Sequence, residues 1–400
     1  MQKFSSKFTI LFLTFALGTA LTSIWLFRTS AEKNNLTQIT EITTDENSKS
    51  SQKTLEMVFV LDTTGSMGGL IDGAKQKIWS IVNDVMQRKD RPKVKVGLVA
   101  YRDNGDAYVT QVLPLSEDLD KVYSTLMDYQ AAGGGDTPEN VRRALAEGVE
   151  KVGWSKQNAN TAQILFLVGD APPQNYVQEP DVLETTAKAV RRNMIVNTIQ
   201  CGNASDTRQI WQQIAQRGEG KYFAIAQDGG VQAISTPYDS KLAELAAKLG
   251  NTYLAYGGGA GESGRTYREN QMKTQAATES KVAAGAPMGA QADRAMNKAI
   301  NTAAYSNDLL QAIENNSIRL ESVKEEDLPD DLKKLSPAER QKEIQKRLGE
   351  RKKIRDEILV LSKQRDAFIQ DARKKSGKQD GFDAAVSSAL SEQMTRKGIK

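Results

Sequence analysis

Met57-Val-Phe-Val-Leu61 and Ile164-Leu-Phe-Leu-Val168 are uninterrupted apolar runs, the first followed directly by Asp62 and the second by Gly169 and Asp170. A strand apolar on both sides has to be covered on both faces, which points to a parallel sheet between layers of helix. From 54 to about 236 the pattern repeats. Strand runs at Leu55–Leu61, Val94–Tyr101, Val109–Leu115, Ile164–Val168, Met194–Gln200 and Lys221–Ile225 alternate with helical patterns. The helical patterns fall at Ile71–Met86, Leu119–Tyr129, Glu139–Val152, Asp181–Arg191 and Thr207–Gln216. Such alternation predicts an α/β fold with a doubly wound, mainly parallel sheet. Val94–Tyr101 and Val109–Leu115 lack a helix between them, which predicts one antiparallel hairpin at the edge.

In open α/β sheets, ligands gather outside the carboxyl ends of the strands, where Asp62 and Asp170 are expected. Asp62, Thr64 and Ser66 alternate along the turn after the first strand, so their oxygens can converge. Hard divalent cations take oxygen ligands of this kind, and Mg2+ uses only one or two carboxylates. The glycine loop Gly133-Gly-Gly-Asp136-Thr137-Pro138-Glu139 can bring Thr137 to the same edge. A plainer reading makes Ser66 a helix cap and Asp-Thr-Pro-Glu an ordinary helix start. The second of these is compatible with a ligand at Thr137.

Asp62-x-Thr64-x-Ser66, a later Thr137 and a strand-end Asp170 resemble the metal-ion-dependent adhesion site of von Willebrand factor A domains. The wording Leu-Asp-Thr-Thr-Gly-Ser-Met, Tyr101-Arg102-Asp103, Gly-Gly-Asp-Thr-Pro-Glu and Val-Gly-Asp-Ala-Pro-Pro is similar to a bacterial branch of that family. Two positions depart from the commoner form: Thr64 stands where Ser is usual, and Val-Gly-Asp170 replaces Thr-Asp-Gly. The resemblance implies a Rossmann-like sheet over 54–236 and a divalent cation held by Asp62, Thr64, Ser66, Thr137 and Asp170. Mg2+ is the first choice, with Mn2+ and Ca2+ as alternatives. It also implies a partner protein whose Asp or Glu completes the coordination. Arg102, Asp103, Asp136 and Glu139 are expected in loops around the site, each more simply read as a solvated loop charge.

Composition narrows the chemistry. The 400 residues include no His, which removes imidazole as a general base, a metal ligand or a partner for a nucleophile. Cys201 is the sole cysteine, so no internal disulfide forms, and its place after an apolar run suits a buried strand end. A net charge of +4 spread over many acids and bases gives no footprint for nucleic acid. Lys3 and Lys7 precede an apolar run from Phe8 to Phe27, followed by Arg28. Residues 1–31 therefore read as a secretory signal or an N-terminal membrane anchor. Residues 32–53 read as a polar tether. The chain from residue 32 onward is expected on the periplasmic or extracellular face.

Beyond 236 the character changes. Residues 237–325 read as a low-complexity and helical connector, with 257–304 too poor in large apolar groups to bury much core. Residues 326–400 read as a charged α-helical extension. A long helix from Pro337 to about Lys375 has a broken apolar stripe of Ile344, Leu348, Ile354, Ile358, Leu361 and Phe368, interrupted by Arg351 and Arg365. The stripe offers a route to a coiled-coil homo-oligomer, and the bases from Arg347 to Arg355 offer a contact for anionic lipid or, more simply, a solvated face. Gly259-Ala-Gly261-Glu-Ser-Gly264 fits a dinucleotide fingerprint but lacks the βαβ context that would support it.

These features together lead to the expectation of a non-enzymatic, metal-dependent protein-interaction module, exported or anchored by its N-terminus. The alternative is a metal-dependent hydrolase or a scaffold subunit of an envelope enzyme complex. A chelatase-like partnership with an ATPase is disfavoured, since such a partner is cytosolic.

Overall fold

A computed structural model describes residues 53–135, 139–225, 234–301, 303–376 and 381–399. The expected signal or anchor, the tether up to residue 52, and the candidate ligand Thr137 with its neighbour Asp136 lie outside the described residues. All described residues fall within one compact unit.

The strands are β1 (Thr54–Asp62), β2 (Lys93–Tyr101), β3 (Thr110–Ser116), β4 (Thr161–Gly169), β5 (Ile195–Cys201) and β6 (Glu219–Ile225). They form a six-stranded sheet in the order β3-β2-β1-β4-β5-β6. Only β3 runs antiparallel, as the edge hairpin with β2. The chain leaves β1 toward one edge and returns to build β4, β5 and β6 on the other side. The topological switch therefore falls between β1 and β4, which pair in parallel with Phe59 opposite Phe166. Their rings stack with centroids 5.0 Å apart.

Helices α1 (Ile71–Met86), α2 (Leu119–Asp128), α3 (Val141–Glu150), α4 (Val182–Arg191) and α5 (Ser205–Arg217) cover the sheet. Alternation along β1 sorts its side chains between two cores. Met57, Phe59 and Leu61 pack with α1 and α2, whereas Val58 and Val60 pack with α3, α4 and α5 around Trp211. Three of these five helices start on side-chain caps: Asp118, Asn140 and Asp181 accept from backbone N–H groups of the first turns of α2, α3 and α4. This places the start of α3 at Asn140.

The C-terminal part is α6 (Asp239–Gly250), α7 (Gly261–Gly285), α8 (Met288–Ile300), α9 (Leu309–Glu314), α10 (Asp330–Lys333), α11 (Pro337–Ser376) and α12 (Gly381–Arg396). The stretch expected to bury little core is helical and partly buried. Small Ala290, Ala292 and Ala295 let α8 approach its neighbours closely, and its polar residues are buried as paired charges. Arg294 binds Asp120 of α2 at 2.5 and 2.7 Å and Glu279 of α7 at 2.8 and 2.9 Å, while Lys298 binds Glu279 at 2.7 Å. Hydropathy alone misjudges such a segment, because its buried surface is supplied by alanines and satisfied ions.

Most of the stripe on α11 packs within the chain itself, while Phe368 at its end stays exposed. Ile358 joins Leu242, Leu245 and Leu249 of α6, and Ile344 joins Leu309 and Leu310 of α9. The two interrupting arginines anchor the helix: buried Arg351 binds Asp308 and both the hydroxyl and carbonyl oxygens of Thr252, and Arg365 binds Asp239 and Asp293 at 2.7 Å each. Arg355 pairs with Glu314 at 2.8 Å, whereas Lys352 pairs with Asp356 on the exposed side. Helix α12 returns to the sheet, where Val386, Leu390 and Met394 enter the core that holds Phe59 and Phe223. Among the described residues, no helix is long and apolar enough to cross a membrane.

Candidate metal centre

The turn after β1 is a chain of side-chain hydrogen bonds. Asp62 is fully buried, and its Oδ1 accepts from the backbone N–H of Thr64 at 2.8 Å and from the Thr64 hydroxyl at 2.6 Å. The Thr64 and Ser66 hydroxyls lie 3.0 Å apart. The Ser66 hydroxyl donates to Asp170 Oδ1 at 3.0 Å. Four oxygen-bearing side chains thus run from the buried end of β1 to the exposed Ser66, at the switch point between β1 and β4. Ser66 does not cap a helix; the short 3-10 turn over Gly65–Gly69 makes no side-chain cap bond.

Asp170 is held from behind, its backbone carbonyl accepting from the Thr207 hydroxyl of α5 at 2.8 Å. The departure from Thr-Asp-Gly has a steric cause. A Cβ on Gly169 would lie 2.3 Å from the Tyr101 hydroxyl and 3.1 Å from Asp62 Oδ2. Only glycine leaves room there for Tyr101.

The glycine loop is fastened to this turn. Ala132 N–H donates to the Thr63 carbonyl at 3.1 Å, and Gly65 N–H to the Gly133 carbonyl at 2.9 Å. Gly133 and Gly134 have φ of +73° and +65°, and Asp106 accepts from the Gly134 N–H. On the far side, Glu139 N–H donates to the Pro172 carbonyl at 3.1 Å. Both flanks of the segment containing Thr137 are therefore anchored beside Asp62.

Residues expected as solvated rim charges are built in. Asp103 is buried and accepts from the Tyr176 hydroxyl at 2.9 and 2.7 Å. Arg102 donates to the carbonyls of Thr63 and Gln130 at 3.1 and 2.9 Å and stacks over Tyr108. Glu139 is 1% exposed, and its Oε2 has no hydrogen-bond partner. Sequence reasoning gave Glu139 no more than a place on the rim, and its only signal was its position two residues after Thr137. Tyr101 entered only as part of the Tyr101-Arg102-Asp103 wording, with no role assigned, and Asp106, in the loop that follows β2, carried no motif at all.

The electrostatics are those of an acidic site without a compensating cation from the protein. Burial, then the nearby Asp170 carboxylate, pushes Asp62 up to about 7. Burial, then Asp62, Asp103 and Asp170, pushes Glu139 up to about 8. Burial also raises Asp170. Among the described residues no Lys or Arg pairs with these three acids. Asp62 Oδ2 is buried without a partner. Hard oxygen donors, unbalanced negative charge and an orphaned carboxylate oxygen fit a divalent cation. No group of three or more acids, Cys or His among the described residues would hold an ion by itself, so the hydroxyls of Thr64 and Ser66 are needed to complete a donor set.

The sequence model of the von Willebrand factor A domain family matches residues 56–237. Among curated proteins, von Willebrand factor A domain-containing protein 7 of Rattus norvegicus is 32% identical over 196 residues, and that of Mus musculus 30%. Each alignment spans 48% of this chain and 20% of the relative. An ariadne-like RING finger protein of Acanthamoeba polyphaga mimivirus is 28% identical over 127 residues, or 31% of this chain and 12% of that one. The chain thus spans about a fifth or less of the length of these relatives. Among solved structures, the SpRpn10 VWA domain aligns with 44% of this chain and 89% of its own at 17% identity, with a TM-score of 0.33. Residues 56–237 of this chain are a von Willebrand factor A domain.

Proposed function

We propose that this protein is a metal-dependent protein-interaction module, exported or tethered at the membrane by its N-terminal apolar segment, and not an enzyme. The observation that supports it best is the hydrogen-bonded set Asp62, Thr64, Ser66 and Asp170 at the switch point, with no Lys or Arg among the described residues paired to it. These residues, with Thr137 from the anchored loop, would hold one divalent cation, Mg2+ before Mn2+ or Ca2+. Two carboxylates with neutral hydroxyls roughly balance a doubly charged ion. Such an ion supplies an open position suited to an Asp or Glu from a partner protein. A hydrolytic role would need a second carboxylate-held ion or a nucleophile with its base. The sequence has no His to serve as that base.

The test is retention of envelope proteins on the immobilised full chain in Mg2+, in EDTA, and with Asp170→Ala in Mg2+. A partner held only by wild type with Mg2+ supports the reading. Retention indifferent to both metal and mutation would move the interaction to the C-terminal helices and overturn it.

A further inference from the structure

Buried polar atoms without a partner are rare and call for an explanation. Three of them surround the turn after β1: Asp62 Oδ2, the Tyr101 hydroxyl and Glu139 Oε2. Asp62 belongs to the cation set, but Glu139 has no role there. Its surroundings are nevertheless specific. A Cβ on Gly134 would lie 3.0 Å from Thr64 Cβ and 3.1 Å from Glu139 Oε1, so the absence of a side chain at Gly134 lets the carboxylate approach Thr64. The backbone of Glu139 is fixed at both ends, by the Pro172 carbonyl at 3.1 Å and the Gln174 N–H at 2.7 Å. The carboxylate is thus nearly inaccessible to solvent, rigidly mounted and partly unpaired. It does not close with Asp62 and Asp170 into an ion-holding group of three acids.

We propose that Glu139 is a positioning residue that accepts hydrogen bonds from a water in the cation's hydration shell, and that it makes the site select Mg2+ or Mn2+ over Ca2+. This rests on the metal reading above. Mg2+ gives up water reluctantly and usually keeps several waters when bound, whereas Ca2+ takes six to eight oxygens directly in flexible geometry. An acceptor placed for the water and not for the ion therefore favours the smaller cation. Groups one layer behind metal ligands typically change affinity about 10- to 100-fold when removed.

The experiment measures Mn2+ binding to the full chain by electron paramagnetic resonance, with Mg2+ and Ca2+ as competitors, for wild type and Glu139→Gln. Glutamine keeps the side-chain shape and the backbone bonds, and metal-free melting checks the fold. The expected result is an Mg2+ affinity about 10-fold weaker, with the Ca2+ affinity changed less than about threefold. An unchanged Mg2+ affinity, or equal losses for both ions, overturns the proposal while leaving the metal site standing. If wild type binds none of the three ions, the metal reading falls and this proposal with it. Should Glu139→Gln fail to fold, Glu139→Asp, which withdraws the carboxylate by one methylene, is expected to show the same selective loss of Mg2+ affinity, and an equal loss for both ions again overturns it.

Discussion

The Ser66 hydroxyl donates to the Asp170 carboxylate at 3.0 Å, although 104 positions separate them in the chain. One residue follows β1 and the other follows β4, and the two meet because those strands are parallel neighbours at the point where the strand order reverses. Each half of the contact could be an ordinary turn. Together they make a site whose integrity depends on the whole sheet.

Asp170→Asn should remove cation-dependent stabilisation while leaving the metal-free fold close to wild type. A ligand at about 100 times its Kd adds about 2.7 kcal/mol to the stability of the native state. The wild-type melting temperature should therefore rise by several degrees in millimolar Mg2+, and that of the variant should not. A wild-type melting temperature indifferent to Mg2+, Mn2+ and Ca2+ would count heavily against the site.

The raised carboxyls give a pH dependence of definite sign. Asp62, pushed up to about 7, and Glu139, pushed up to about 8, hold protons more tightly in the folded chain than in the unfolded one, where carboxyls titrate near 4. Their contribution to stability is fully present below about pH 4 and is lost as pH rises through 7 and 8. Chelated protein should accordingly lose on the order of 2–4 kcal/mol between pH 5 and pH 8, allowing for coupling between the two groups. Excess Mg2+ should flatten that decline, because the ion compensates the same charges. Urea midpoints at the two pH values, with EDTA and with Mg2+, read this directly. Equal midpoints in EDTA would mean that the negative charge is balanced in some other way.

Gly169→Ala should be costly for a reason unrelated to backbone freedom. The added methyl would lie 2.3 Å from the Tyr101 hydroxyl. Forcing an atom into a packed site typically costs about 1–3 kcal/mol. Tyr101→Phe removes the clashing oxygen, so the double variant should recover most of the loss. Chemical denaturation of the two single variants and the double closes the cycle, and additivity would show that Tyr101 is not the obstacle.

The sheet and most of the site were legible because they rest on local signals. Unbroken apolar strands can only be covered on both faces, and Asp62, Thr64 and Ser66 announce themselves by spacing within one turn. The roles of Glu139, Tyr101 and Asp106 were illegible because they arise from contacts over long separations, such as Asp106 with the Gly134 N–H, and leave no pattern in neighbouring residues. The same limit explains α8. A segment of alanines with Arg294 and Lys298 looks incapable of forming core until Asp120 and Glu279, from two other helices, are brought to it.

That ion cluster should be brittle. Arg294, Asp120, Glu279 and Lys298 are all nearly inaccessible to water. Removing one member of a buried pair leaves an uncompensated charge and typically costs about 3–5 kcal/mol. Arg294→Met should therefore destabilise strongly. Replacing Asp120 by Asn in the same chain leaves Glu279 paired with Lys298 and should recover part of the loss. Thermal melts of the two variants decide whether net charge or simple loss of packing is responsible.

Helix α12 makes the matched family region an incomplete folding unit. Asn197 lies in the middle of β5 and exchanges two hydrogen bonds, at 3.0 and 2.7 Å, with Gln393 of α12. Phe382 packs edge-on against Phe223 of β6, and Val386, Leu390 and Met394 are buried beside it. Each buried apolar side chain of this size contributes about 1.5–3 kcal/mol relative to exposure. Removing residues 381–400 should thus cost several kcal/mol and bare an apolar patch that binds a hydrophobic dye. Gln393→Leu keeps the helix and removes only the amide pair, so it should cost about 1–3 kcal/mol through the unpaired Asn197 Nδ2, since Asn197 Oδ1 still accepts from the Lys221 N–H. If the truncated chain melts like the full one without binding dye, α12 is an appendage and the sheet is complete without it. A large loss in the truncation with a small one in Gln393→Leu would instead show that apolar cover, and not the polar pair, holds the last helix to the domain.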